Sequence, residues 1–318
     1  MSAPEKLKVA LAQIAPIWFD REATLKKVIS YVQNASSRGC ELIVFGEALV
    51  PGYPFWLDMT GGAKFNCDKQ KTIQAEYSKQ AVQIERGDLS ELCQTCNENN
   101  IAVYLGIIER PQDRTGHSLY CSFVYIDQHG NIQSVHRKLM PTYEERLSWS
   151  PGDGHGLRTH KLSAFTVGGL NCWENWMPLA RASLYAQGED LHVACWPGNI
   201  RNTQDLTPVM AKEGRSYVLS VSGLMRPSDA KMCLPELAEV YNDSSPLIAD
   251  GGSCIAAPDG SWVIEPQVGE EGLYVAELDH SIVRKERQNF DPAGHYSRPD
   301  VTQLVVDRTR QTTVIFND

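Results

Sequence analysis

Short apolar runs alternating with helix-periodic segments decide the fold class of this chain before any motif does. Lys8–Ile14 (KVALAQI) has the alternation of a strand, and the following REATLKKVISYVQNASSRG places Leu25, Val28, Ile29 and Val32 at helical spacing. Gly39 closes that helix. The next run, Glu41–Glu47 (ELIVFGE), is apolar on both faces, as a strand covered on each side must be. Strand, helix and buried strand in succession make an α/β beginning. Further on, GDLSELCQTCNENN carries Asp88 and Glu91 at capping-box spacing, which places Cys93 and Cys96 on a helix. IAVYLGI and LYCSFVYI read as strands, the second joined to IQSVHRK through a DQHGN turn in hairpin fashion.

The second half repeats the alternation. AFTVGGLNC is a strand, PLARASLYAQG a helix and LHVACWPG a strand; a helix over Leu206–Ser216 and strands at YVLSVSG, SCIAAP, WVIEP and LYVAEL follow. No Pro/Gly/Ser linker divides these elements, and the expectation is a single α/β domain over residues 1–318, with parallel and antiparallel pairing and about four or five helices. Two stretches, Pro51–Lys71 and Gly152–His160, are too long for ordinary connections and are candidate functional loops.

Charge and targeting signals exclude several function classes. A formal net charge of -9 with no run of five basic residues argues against a nucleic acid or an anionic membrane as partner. The amino-terminal MSAPEKLKVALAQIAP lacks the apolar core and small-residue cleavage site of an export signal. No stretch reaches the ~18 consecutive apolar residues of a membrane span. Nine scattered cysteines, an odd number, then read as reduced thiols of a cytoplasmic protein.

Three polar residues share one peculiarity: each ends an apolar strand. Glu47 ends LIVFGE on the face of Ile43 and Phe45, Lys138 ends IQSVHRK, and Cys172 ends TVGGLNC. Ligand sites of open α/β sheets lie beyond the carboxyl ends of strands. A single Glu or Lys there is commonly a cap or an ion pair, and a single Cys is commonly a small apolar filler. Together they have a specific chemistry. A thiol becomes an effective nucleophile once a base or a cation favours its thiolate. A lysine can stabilise that thiolate and later anions, while a glutamate moves protons. Gly168 and Gly169 would let the backbone approach closely just before the turn, in loose analogy to a nucleophile elbow.

Metal and nucleotide readings fail on spacing. Cys93 and Cys96 have no second pair at zinc spacing, and His155 to His160 is not a helical HExxH. The glycine pairs near Gly61 and Gly168 carry neither a Walker nor a dinucleotide fingerprint. No metal and no organic cofactor is expected. Among the aromatic residues, Tyr53, Trp149, Trp173 and Trp196 are the expected walls of an apolar substrate pocket.

At these residues the chain resembles the nitrilase superfamily, and its nitrilase branch in particular. The likeness runs from KVALAQIAP to DPAGHYSRPDV, through FGEALVPGYPFW, HRKLMPTYEERLSW and GGLNCWENWMPLAR. The resemblance implies a Glu–Lys–Cys triad at Glu47, Lys138 and Cys172, with a further active-site carboxylate at Glu145, the residue before Arg146. It implies a four-layer αββα sandwich that assembles into homodimers or higher homo-oligomers. Residues 299–318 would form a short carboxyl-terminal tail. Trp173-Glu174 after the cysteine and Pro178-Leu179 are similar to nitrile-hydrolysing members, whereas amidase branches carry an aromatic followed by Asp, then Pro-Glu. The implied activity is hydrolysis of a small organic nitrile to acid and ammonia through a cysteine thioimidate and thioester. An amidase or carbamoyl hydrolase on the same scaffold is the alternative, and a non-catalytic binding module a more distant one.

Overall fold

The computed structural model describes residues 5–231, 234–238 and 247–314. Strand β1 (Lys6–Gln13) leads into helix α1 (Arg21–Ser37) and strand β2 (Leu42–Phe45). Asp20 caps α1 by accepting a hydrogen bond from Ala23 N at 2.9 Å. The helix buries Leu25, Val28, Val32 and Ala35, and Gly39 beyond its end adopts φ +76°. Full burial of each such aliphatic side chain is worth roughly 1.5–3 kcal/mol, so the stripe read from spacing is what docks the helix. Then come helices α2 (Trp56–Met59), α3 (Asp68–Gln80) and α4 (Ser90–Asn99), and strands β3 (Ala102–Glu109), β4 (Tyr120–Ile126) and β5 (Ile132–Arg137).

The second half holds strands β6 (His160–Leu162) and β7 (Phe165–Asn171), helix α5 (Pro178–Tyr185) and strand β8 (Leu191–Trp196). Helices α6 (Ile200–Thr203) and α7 (Leu206–Gly214), strands β9 (Tyr217–Ser222) and β10 (Leu224–Met225), and helices α8 (Pro227–Lys231) and α9 (Pro235–Ala238) follow. Strands β11 (Ala249–Ala256), β12 (Trp262–Val268) and β13 (Gly272–Asp279) and helix α10 (His280–Asn289) end the described elements.

The strands form two mixed sheets of matching plan. In the first the order is β13-β1-β2-β3-β4-β5, with β1, β2 and β3 parallel and the outer pairs antiparallel. In the second β6-β7-β8-β9-β11-β12 repeats it, with β7, β8 and β9 parallel and β10 added beside β11. Leu42, Val44, Tyr104 and Phe123 of one sheet and Phe165, Val167, Val193 and Leu219 of the other fill one buried cluster between them. Ile43, Phe45 and Val103 turn the other way, against Val28, Val32 and Leu92 of α1 and α4. Ala194 and Val218 pack against Leu206 and Met210 of α7. Helices, sheet, sheet and helices thus make the four-layer αββα sandwich. Among the described residues, no helix is long and apolar enough to cross a membrane.

Several sequence expectations need correction. Pro51–Lys71 is not loop throughout, since it contains α2 and the start of α3, and α10 was not anticipated either. The Asp88–Glu91 capping box does not form: α4 starts after Leu89, and Asp88 instead accepts from Gln83 N and the Arg86 guanidinium. Strand β2 ends at Phe45, so the two-residue period that would put Glu47 on the face of Ile43 does not reach it. Of the nine cysteines, Cys233 lies outside the described residues and the other eight are free thiols.

Candidate active site

Glu47, Lys138, Cys172 and Glu145 come from three separate strand ends and one short turn, and the fold brings all four together. Glu47 lies two residues past β2, where its N–H donates to the Trp196 carbonyl at 3.2 Å across to the second sheet. Lys138 follows β5, and its N–H donates to the Cys121 carbonyl at 2.8 Å. Gly152 N donates in turn to the Lys138 carbonyl at 2.7 Å, so the Gly152–His160 segment backs the lysine rather than covering the site. A side chain at Gly152 would meet the Arg137 carbonyl oxygen at 2.1 Å. Glu145 sits in a 3-10 turn (Tyr143–Leu147) closed by a capping box with Thr142.

The side chains form one buried polar cluster. Lys138 Nζ donates to Glu47 Oε1 at 2.8 Å and to Glu145 Oε2 at 2.7 Å. Glu145 Oε2 also accepts from Thr142 N at 2.6 Å, and its Oε1 accepts from the Tyr53 hydroxyl at 2.6 Å. Cys121 Sγ donates to Glu47 Oε1 at 3.6 Å. Glu47 Oε2 is buried and has no hydrogen-bond partner among the described residues. Cys172, the first residue of a 3-10 turn (Cys172–Trp176), is buried with φ +45°. Its sulfur and the carboxylate oxygens of Glu47 and Glu145 lie within 4.8 Å of one another.

One ammonium against two carboxylates leaves the cluster short of positive charge in a place where ions are costly. Burial therefore pushes Glu47 up to about 7, against the pull of Lys138 and with a further push from Glu145. Burial pulls Lys138 down, but Glu47, Cys172 and Glu145 outweigh it and hold the ammonium well above the ordinary lysine value. Burial, with Glu47, raises the Cys172 thiol well above its usual range, only partly offset by Lys138. The resting sulfur is thus a thiol beside a carboxylate whose proton affinity burial has raised, an arrangement suited to proton transfer on attack. The thiol and two carboxylates could in geometry hold a metal ion. The Lys138 ammonium, bonded to both carboxylates, already supplies the cation that such a group of ligands would recruit.

Above the cluster opens a cavity of about 1050 Å³, lined by Tyr53, Cys172, Trp173, Trp176, Met140 and Ile248 among others. Two of the expected wall residues do not reach it. Trp149 lies behind the wall, edge-on to Tyr53 at 5.5 Å between ring centres, with Lys138 Nζ 5.6 Å from its own ring. Trp196 is fully buried under the floor, donating through Nε1 to Ser220 Oγ at 3.3 Å. Trp173 lines the cavity and is half-exposed.

Sequence reasoning missed a tie between the two halves of the site. Glu174, in the sequence a mark of the likeness to nitrile-hydrolysing members, is buried. Its oxygens accept from Leu139 N at 2.7 Å and Asn171 N at 2.8 Å, and both lie 3.0 Å from His136 Nε2. Burial would raise its pKa, yet His136 and the two backbone donors hold that pKa below the ordinary carboxylate value. Glu174 therefore joins the residue after Lys138 to the residue before Cys172. A carboxylate buried beside a nucleophile was the visible signal; its partners, distant in sequence, were not.

The chain is similar to known proteins along nearly its whole length. Residues 8–288 match the family described as carbon-nitrogen hydrolase. A protein named Nitrilase 2, from an unknown prokaryotic organism, is 34% identical over 98% of this chain and 96% of its own length. An aliphatic nitrilase of Rhodococcus rhodochrous is 34% identical over 98% of this chain and 82% of its own. The solved structure of Nit3 from Saccharomyces cerevisiae, a member of branch 10 of the nitrilase superfamily, superposes with a TM-score of 0.68 at 18% identity, covering 92% of this chain and 97% of that one. With a Glu–Lys–Cys cluster at the end of an αββα sandwich and these relatives along nearly its whole length, the chain belongs to the carbon-nitrogen hydrolases of the nitrilase superfamily.

Proposed function

We propose that the protein is a nitrilase, hydrolysing an organic nitrile to the carboxylic acid and ammonia through a covalent intermediate on Cys172. The observation that carries this reading is the buried cluster at the floor of an apolar cavity: a thiol, a lysine bridging two carboxylates, and one Glu47 oxygen left without a partner. Trp173-Glu174 after the nucleophile, and full-length relatives named as nitrilases, support a nitrile over an amide.

In this mechanism Sγ of Cys172 adds to the nitrile carbon while its proton passes to Glu47 and on to the nitrogen, giving a thioimidate. A first water, deprotonated by Glu47, adds to the same carbon. Glu47 returns that proton to the nitrogen and then relays the proton of the new hydroxyl to it, so the carbonyl forms as the C–N bond breaks and ammonia leaves. A second water attacks the remaining thioester, the C–S bond breaks, and the sulfur regains its proton as the acid departs. Two waters enter, and one acid and one ammonia leave. Lys138 and the Trp173 backbone N–H, which is directed at the sulfur, face the negative charge that develops at the reacting carbon's substituents. Glu145 holds the ammonium in place through its bonds to Lys138, Tyr53 and Thr142. Tyr53, Trp173 and Trp176 form the apolar walls that receive the substrate's organic group.

The test is turnover of phenylacetonitrile, benzonitrile and propionitrile, each beside its amide, with ammonia as the readout. For the best nitrile, kcat/KM should exceed that of its amide by about tenfold or more, the scale of one unpaired buried polar group. Equal or faster amide hydrolysis would make this an amidase. Cys172→Ala should abolish turnover, and mass spectrometry of a quenched reaction should find the adduct on Cys172.

A further inference from the structure

A buried polar chain next to Cys172 has no part in the hydrolytic steps above. Asn175 closes the turn that Cys172 opens: its Nδ2 donates to the Cys172 carbonyl at 2.9 Å and to the Leu170 carbonyl at 3.2 Å. Its Oδ1 lies 2.8 Å from Nε2 of His192, whose Nδ1 lies 2.8 Å from Oε1 of Glu189. All three side chains are buried. The glycine pair of TVGGLNC belongs to this arrangement. A Cβ at Gly168 would stand 2.1 Å from Glu189 Oε1, and one at Gly169 2.7 Å from the Phe123 ring. These glycines make room for side chains behind the strand, not for a close approach at the turn.

Hydrogen counting fixes the direction of the chain. Both hydrogens of the Asn175 amide go to carbonyl oxygens, so Oδ1 can only accept and His192 Nε2 must carry its hydrogen. His192 Nδ1 and Glu189 Oε1 then share one more proton, whichever of the two holds it. Glu189 Oε2 has no partner among the described residues, and burial raises Glu189 against the pull of His192, which favours the protonated acid. The neighbouring charges are engaged elsewhere. Asp190 accepts from Thr166 N and pairs with His280, Glu213 pairs with Arg181 and Tyr185, and Arg287 donates to the Glu189 backbone carbonyl.

We propose that Asn175, His192 and Glu189 form a positioning relay that holds the Cys172 peptide in its left-handed conformation and so aims the sulfur at Glu47 and Lys138. A non-glycine residue at φ +45° persists only where its surroundings over-determine it, and the two carbonyl bonds from Asn175 do so on both sides of Cys172. Glu189 and His192 orient the amide. Their service is a donated hydrogen at Nδ1, not a charge.

The inference rests on Cys172 as the nucleophile, and the experiment separates the two. kcat and KM on phenylacetonitrile, the rate of Cys172 alkylation by iodoacetamide and Tm are measured for Glu189→Met, Glu189→Gln, Asn175→Asp and Cys172→Ala. Glu189→Met and Asn175→Asp should lower kcat by about 10²-fold, the scale of a small misplacement of a reacting group. KM should stay within about threefold, and alkylation should slow. Glu189→Gln, whose amide can donate to Nδ1, should restore kcat to within about threefold of the parent. The relay is overturned if Glu189→Met matches the parent in kcat, if Glu189→Gln is as impaired as Glu189→Met, or if Tm falls with kcat intact. Should Glu189→Met fail to fold, Asn175→Asp and Glu189→Gln decide alone. An active Cys172→Ala would instead overturn the nucleophile itself.

Discussion

Glu144 and Glu145 are adjacent, chemically identical and opposite in circumstance. Glu145 is fully buried and bonded to Lys138, Tyr53 and Thr142, while Glu144 lines the cavity with no bond to the lysine. Glu145→Gln keeps the shape but puts an amide where the ammonium needs a carboxylate, so kcat should fall by about 10²-fold or more with the fold retained. Glu144→Gln should stay within about twofold. Steady-state kinetics on the pair checks this, and the reverse pattern would mean that the wrong carboxylate has been assigned. Lys138→Met should be at least as severe as Glu145→Gln, because it removes the cation itself; a loss of less than about tenfold would count against any role for Lys138. Glu47 adds a pH signature. Its raised value, about 7, means that the carboxylate gains a proton as pH falls through neutrality and can no longer accept one. Since a base works only when ionised, kcat/KM should plateau above about pH 7 and fall nearly tenfold per unit well below it. A flat profile between about pH 5 and 8 would show that Glu47 is not the titrating base.

At the scale of elements, the site depends on what holds the ends of β5 and β7 together across the two sheets, and Glu174 is a direct link. Removing its carboxylate would orphan the buried Asn171 N–H, the half-buried Leu139 N–H and the buried His136 ring. At roughly 1–3 kcal/mol for each unsatisfied donor, Glu174→Ala should cost more than about 3 kcal/mol in denaturant unfolding and lose activity as well. An unchanged unfolding midpoint would dismiss the link. This scale also marks where sequence reading stops. Glu47, Lys138 and Cys172 were legible because each interrupts an apolar run at its end, where a strand must stop. The His136–Glu174 contact was not, because it joins a strand of the first sheet to the turn after β7 of the second and no periodicity connects them. Helix α3 was hidden because only Ile73 and Tyr77 of its residues are buried, too thin a stripe to stand out. Trp196 misled for the opposite reason. An aromatic at a strand end beside the motifs suggests a pocket wall, yet it points inward to Ser220 and lends the site only its backbone carbonyl.

At the scale of the whole molecule, the two sheets repeat one strand order, and the cluster forms beyond the carboxyl ends of β2 and β5 in one sheet and β7 in the other. Glu47 and Lys138 come from the first sheet and Cys172 from the second, so their spacing depends on the packing between the sheets. The last described strand returns to the first: β13 pairs with β1 along its whole length, from Lys6 opposite Asp279 to Gln13 opposite Gly272. Beyond α10 the described residues 290–314 form no helix or strand, but they are not without contacts. Val306 packs with Leu139, Leu157 and Leu170. Arg310 pairs with Asp153 at 3.0 Å and donates to the Val135 carbonyl at 3.0 Å, while Gln311 N donates to Asp153 at 3.0 Å. The tail thereby clamps the Gly152–His160 segment, whose Gly152 is bonded to the Lys138 carbonyl. Asp153 registers the clamp: burial would raise it, but Gln311 N, Arg310 and His155 N hold it below the ordinary carboxylate value. A chain ending at Val305 should keep both sheets, because every strand of the described residues precedes the cut. It loses one apolar anchor and a charged network, roughly 2–4 kcal/mol together, and Tm should drop by several degrees. The deficit has a pH sign. A lowered value in the folded chain stabilises above the unfolded value and is lost as pH falls through the folded one, so the gap between parent and truncated chain should narrow in strong acid to the apolar share alone. Because the clamp backs Lys138 and not the cavity, kcat should suffer more than KM. Equal Tm and equal kcat in the two chains would reduce the tail to a passenger.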